Sequence, residues 1–202
     1  CPGLKPATLT VRSVPIKTQN GFSTELPVMP VIPLPAERPV ITAAWDEPQI
    51  REHKNSQGGK FITEFSYSGP TSSVRVEQAA RDGKKIFGDS NASFSGLPAE
   101  LKDADYVQGA TADARYNAVD LMEIAVKAGS TVFVAHDDRL ARPDWLTRQF
   151  KATDASLTVG GHAMKVFQHT VSNDESLTLG TNTENANAPA DSSMYIVFVN
   201  RR

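Results

Sequence analysis

The sequence predicts an antiparallel β-sandwich preceded by an extended, proline-rich N-terminal arm. Two observations carry this expectation. Nine of the 13 prolines (Pro2, Pro6, Pro15, Pro27, Pro30, Pro33, Pro35, Pro39 and Pro48) fall in the first 50 residues. From Lys60 onward, short apolar or alternating runs recur between Gly, Asn and Ser breaks, the pattern of short antiparallel strands. Apolar residues make up 40% of the 202 and charged residues 22%, enough for a buried core and too apolar for wholesale disorder. With 21 basic and 23 acidic side chains the net charge is -2, so there is no electrostatic footprint for nucleic acid. No apolar run approaches the ~18 residues of a membrane-spanning helix.

The arm comes first. Its run from Leu26 to Pro35 alternates prolines with apolar residues; each proline fixes its own φ and drives its predecessor out of the helical region. The segment is therefore extended, near polyproline II. A solvated linker would be polar, yet this one carries Met29, Ile32, Leu34 and Trp45. Leaving them in water would expose a sticky strip. These four are the expected partner-binding residues, with Trp45 as an aromatic anchor. The expected partners are other envelope or extracellular protein subunits, or further copies of this chain. Residues 1–50 read as the arm, 51–60 as a polar hinge ending in Gly58-Gly59, and 61–202 as the sandwich.

The single cysteine is Cys1. It forms no disulfide within the chain, and with four scattered histidines it makes no metal site. Lipoprotein processing, which cleaves just before a cysteine and acylates it, accounts for that placement. Acyl chains contribute about 0.8 kcal/mol per buried CH2, so several of them anchor a protein to a membrane. Cys1 is the expected lipid attachment, and the cell envelope, facing the periplasm or exterior, the expected location.

In the body, Phe61 to Tyr67 alternates and stops at Ser68-Gly69-Pro70; Val74 and Val76 follow. Ile86-Phe87 reads as a short strand. Val119–Val126 has helical propensity, but the turn Lys127-Ala128-Gly129-Ser130 suits a hairpin, so a strand with Met122, Ile124 and Val126 inward is expected. Thr131–Ala135 and Met194–Val199 are apolar on both faces, as in a layer covered on each side. Ala163–Val171 and Leu177–Leu179 complete the strands. Short helical turns are expected at Pro98–Lys102 and Pro143–Leu146, with Pro143 at a first helical position.

Several landmarks between Phe87 and Val199 keep a recognisable order: Phe94-Ser95-Gly96-Leu97-Pro98, Asp105-Tyr106-Val107-Gln108, Thr131 through Arg139, Pro143-Asp144-Trp145-Leu146, Leu177 through Asn182, and Met194-Tyr195-Ile196-Val197. The chain in this span resembles the galactose-binding-like, jelly-roll β-sandwich modules that stand beside catalytic domains in secreted bacterial polysaccharide lyases and glycoside hydrolases. The resemblance implies that fold and a non-catalytic role, with a polysaccharide as a ligand class.

The densest polar cluster is His136-Asp137-Asp138-Arg139, directly after an apolar strand. Read as a site, Asp137 and Asp138 would hold Ca2+ or sugar hydroxyls, Arg139 would brace a carboxylate and Trp145 would stack on a sugar ring. Read as structure, an aspartate pairs with Arg139 and bonds turn amides, and Trp145 packs under a loop with its N–H on a carbonyl. Asn173–Ser176 and the loop Thr181–Ser193 have calcium-binding residue types but read as solvated turns. No cofactor beyond the lipid is expected. No nucleophile elbow, P-loop or dinucleotide fingerprint is present, so the reading is a non-enzymatic accessory subunit, with a surface carbohydrate-binding module as the alternative.

Overall fold

The computed structural model describes residues 54–56, 58–185 and 188–201. Cys1, Met29, Ile32, Leu34 and Trp45 lie outside them. The described strands are β1 (Lys54–Ser56), β2 (Ile62–Tyr67), β3 (Arg75–Glu77), β4 (Asp105–Gln108), β5 (Met122–Val126), β6 (Ser130–Asp137), β7 (Lys151–Val159), β8 (His162–Thr170), β9 (Glu175–Leu179) and β10 (Ile196–Arg201), with one α-helix, α1 (Asp144–Gln149), and 3-10 turns at Ala99–Leu101, where one was expected, and Thr111–Asp113. A four-stranded sheet has the order β1-β2-β5-β9, and a six-stranded sheet the order β3-β4-β10-β6-β8-β7. Every pairing between these strands is antiparallel. The fold is an antiparallel β-sandwich.

β10 lies at the heart of the large sheet, and its first five residues are all buried. Successive side chains point to opposite faces. Phe198 lies under Phe94, with ring centroids 5.6 Å apart, and Phe94 meets Tyr106 edge-on at 5.1 Å. Val197 and Val199 alternate with Phe198 in a continuous apolar cluster that takes in Phe65, Ile124 and Leu179 of the small sheet. The segment around Phe94 is thus the covering layer that the two-faced apolar strands require. It also holds Ile86 and Phe87, both buried. They do not form the expected strand: Lys85 and Phe87 make only isolated bridges, to Ser93 and Gly109. Their apolar character serves the cover rather than a sheet.

In β5, Met122, Ile124 and Val126 are buried as expected, while Val119 lies before the strand, 89% exposed. β2 departs from simple alternation. A register shift between Ile62 and Glu64 puts Ile62 on the buried side together with Phe65 and Tyr67, because the extra residue of a bulge reverses the parity. β7 has no clear sequence signal, since only Leu157 and Val159 are buried along its nine residues; it is an edge strand held by β8. β1 pairs with β2 inside the segment read as a hinge. Pro143 stands one position before α1, as its cap residue, and the helix continues to Gln149.

Candidate functional site

β6 ends at Asp137, whose side chain is fully buried, beside Arg139, 34% exposed. One Asp137 carboxylate oxygen accepts from the Arg139 amide at 3.1 Å and Nε at 3.0 Å. The other accepts from Arg139 Nη2 at 2.8 Å and from the Ser193 amide at 3.0 Å. Arg139 then reaches across to Asp191, with Nη1 3.1 Å from a carboxylate oxygen and Nη2 3.1 Å from the backbone carbonyl. His162 Nε2 lies 3.3 Å from the same Asp191 carboxylate. This is a bidentate, charge-assisted clasp between the end of β6 and the loop that leads into β10.

The electrostatics follow from that geometry. Burial pushes the Asp137 carboxyl up, but the Arg139 hydrogen bonds and the Ser193 and Arg139 amides outweigh it and bring the pKa down to about 2. His136, at the other side of the strand end, is buried. Burial lowers its pKa, only partly opposed by its bond to a carbonyl. Its Nε2–H donates to the Asn182 carbonyl at 2.9 Å. Asp138 faces outward, 57% exposed, with Arg142 at 3.8 Å.

Asn182 is the hub of the adjoining loop and is completely buried. Its Nδ2 donates to the carbonyls of Ala114 and Ser193 at 3.1 and 3.0 Å, and its Oδ1 accepts from the Tyr195 amide at 3.1 Å. Thr181, Thr183, Ser192 and Ser193 are buried as well, so both ends of the Thr181–Ser193 loop are built-in structure rather than solvated turn. Trp145, on α1, donates its indole N–H to the Thr181 carbonyl at 2.9 Å. Its half-buried ring packs 5.2 Å from Tyr195 and edge-on to Phe150 at 6.0 Å.

The structure thus brings Asp137, Arg139 and Trp145 to one end of the sandwich, around the same loop, with Asp138 turned to solvent. Two further carboxylates escaped the sequence reading. Asp105 is buried; one oxygen receives the amides of Phe61 and Ile62, and the other has no partner among the described residues. Asp113 is buried and accepts from the Tyr67 hydroxyl at 2.5 Å and the Thr71 hydroxyl at 2.7 Å; burial, and then this bond, raise the Tyr67 phenol above its ordinary range. Asp105, the first residue of β4, and Asp113, in the turn after it, tie the small sheet to this part of the large one. Nothing local marks them, since their donors lie 42 or more residues away. Asp174, in the second acidic stretch, pairs with Lys127 at 2.7 Å and accepts from the Ala128 amide at 2.9 Å, stapling the β5–β6 turn. Among the described residues, no three His, Cys, Asp or Glu side chains gather as a metal site.

Fold and sequence together define an antiparallel β-sandwich domain similar to a small part of a glycoside hydrolase. In sequence, the chain is 30% identical over 203 residues to a β-glucuronidase of Formosa agariphila, and the match takes in 98% of this chain but 20% of that protein. In structure, it is similar to a solved β-glucuronidase from glycoside hydrolase family 2, at 29% identity and a TM-score of 0.67, covering 71% of this chain and 15% of the other. The chain spans about a fifth of the curated relative it matches. No family model matches it.

Proposed function

We propose that the chain is a non-catalytic β-sandwich domain of a carbohydrate-active protein, which accompanies glycoside hydrolysis without performing it. The observation that carries this reading is the extent of the match: 98% of the chain aligns with one fifth of a β-glucuronidase. Glycoside hydrolysis uses a pair of carboxyl groups flanking the scissile bond in an open cleft. The buried carboxylates here serve other ends. Asp137 is spent on Arg139 and Ser193, Asp113 on Tyr67 and Thr71, and Asp105 on the start of β2. The clasp around Asp137 and the packing of Trp145 support a bracing role for that end of the sandwich.

The proline-rich segment is included in the sequence match, so it accompanies the sandwich in the relative. In the proposed role its apolar residues, Met29, Ile32, Leu34 and Trp45, lie against another part of the assembly, since leaving so apolar a segment in water would expose a sticky strip. The test has two arms. The purified chain is incubated with p-nitrophenyl β-D-glucuronide, beside the Formosa agariphila enzyme as the positive control; no nitrophenol release is expected, and enzymatic turnover would overturn the reading. Sedimentation of the chain with that enzyme lacking its matched fifth is expected to show a complex that Trp45→Ala with Ile32→Ala weakens. Independent sedimentation would remove the docking role.

A further inference from the structure

We propose that the part of the outer face of the six-stranded sheet that no other described residue covers is a binding groove for a hydroxyl-rich saccharide. The inference rests on the reading above and adds to it a site and a ligand class.

The register lays out the groove. One row across the sheet runs Tyr106, Phe198, Phe133, Gln168. Phe94 covers its first two members. Beyond the cover the row continues into a groove of about 300 Å3, lined by Thr131, Phe133, Thr153, Gln168, Thr170 and Asn200, with Glu100 and Gly129 at its margin. That volume is at the small end of the range for ligand sites, about 300–1,000 Å3. The next row, Asn200, Thr131, Thr170, forms its second rank. Phe133, 6% exposed, supplies an apolar floor.

Hydrogen-bonding capacity separates this place from the Asp137 clasp. At the clasp both carboxylate oxygens are occupied from within. In the groove, the side chains of Thr131, Gln168 and Thr170 have no hydrogen-bond partner among the described residues, and Gln168 and Thr170 are exposed. Asn200 donates its Nδ2 to the Glu100 carbonyl at 2.5 Å, which fixes the amide and leaves its oxygen as an acceptor. Thr153 is held on the Val166 carbonyl at 2.9 Å and shapes the wall. Hydroxyl and amide side chains both donate and accept, as sugar hydroxyls do, and here they stand on paired strands rather than on a loop. The one charged side chain in the lining is Glu100, and cations stand at the margins: Lys151 is the cross-strand partner of Gln168, and the Arg201 guanidinium lies against Gly129. With both signs of charge around it, the groove is defined by its hydroxyl and amide groups rather than by a net charge.

The experiment is an amide-resolved NMR titration of the full 202-residue chain. The probes are cellotetraose, mannotetraose, galactotetraose and xylotetraose, with aldotetrauronic acid as the glucuronate-bearing comparison. At least one probe is expected to shift the Thr131, Gln168 and Thr170 amides saturably, with weak affinity, around 1 mM or tighter. The double variant Gln168→Ala with Thr170→Ala is expected to weaken that binding about tenfold or more and leave Tm unchanged, because both side chains are exposed. The proposal is overturned by either of two results: no saturable shift with any probe up to about 10 mM, or shifts centred on Asp137 and Trp145 that survive the double variant. Neither would touch the non-catalytic reading, which only turnover by the chain contradicts.

Discussion

Asp137 is buried with its charge and survives there because Arg139 grips it from two sides and Ser193 donates from a third. Removing one member of such a pair strands the other, and for buried pairs this costs about 3–5 kcal/mol. Arg139 is partly exposed and keeps Asp191, so Asp137→Ala is expected near the lower end, roughly 3 kcal/mol by urea denaturation. Asp138→Ala, one residue along but exposed, is expected to change stability by no more than about 0.5 kcal/mol. Acid acts on the same strand end through two groups. The folded state lowers the pKa of His136 below its ordinary 6.5. The unfolded chain therefore binds the proton first, and this contribution is complete above pH 6.5 and declines as the pH falls below it. Asp137, held at about 2 against an ordinary 3.8, adds a second loss as the pH falls from about 4 towards 2. Calorimetric Tm against pH is expected to show both, and His136→Gln to flatten the upper phase.

At the level of elements, the β7–β8 hairpin depends on two glycines. Val159 pairs with His162, so Gly160-Gly161 is a two-residue loop, and both have positive φ, 58° and 85°. That is the primed turn whose twist suits a hairpin. Gly161→Val is expected to cost about 1–2 kcal/mol because a side chain, and a branched one most of all, resists the left-handed region. Gly161→Asn is expected to cost less, since Asn tolerates it; thermal melts of the two variants measure the difference. The same elements explain what could be read from residues alone. β6 and β10 were legible because they are apolar on both faces, which only a covered central strand tolerates. β7 was not, since an edge strand with two buried side chains has hardly any pattern, and the break in the alternation of β2 at Ile62 was not, because a bulge leaves no local mark. The polar cluster at Asp137 and Arg139 was visible as a cluster. Its partners were not: Asn182 lies 46 residues from His136, Asp191 lies 52 from Arg139 and Ser193 lies 56 from Asp137, and only the sandwich topology brings them together.

Across the described sandwich, the clasp and the groove occupy different surfaces. One end of the sandwich is closed by the Asp137 clasp, the Asn182 hub and Trp145, with both Asp137 oxygens and the Asn182 amide bonded internally. The outer face of the large sheet is capped by Phe94 on one side, and on the other is lined by hydroxyl and amide groups, of which Thr131, Gln168 and Thr170 have no partner among the described residues. In the proposed reading, a domain of this design, matching one fifth of a β-glucuronidase, binds through its large sheet and keeps its buried carboxylates engaged in holding the fold. The most direct test reads both partners in a single sample. The chain is mixed with xylotetraose, mannotetraose, galactotetraose or cellotetraose in turn, and the protein amides and the sugar anomeric signals are followed together over days. For at least one of these sugars the account predicts saturable shifts around Thr131, Gln168 and Thr170, with every saccharide left intact. New reducing-end signals that grow with time would make the chain a hydrolase and contradict it.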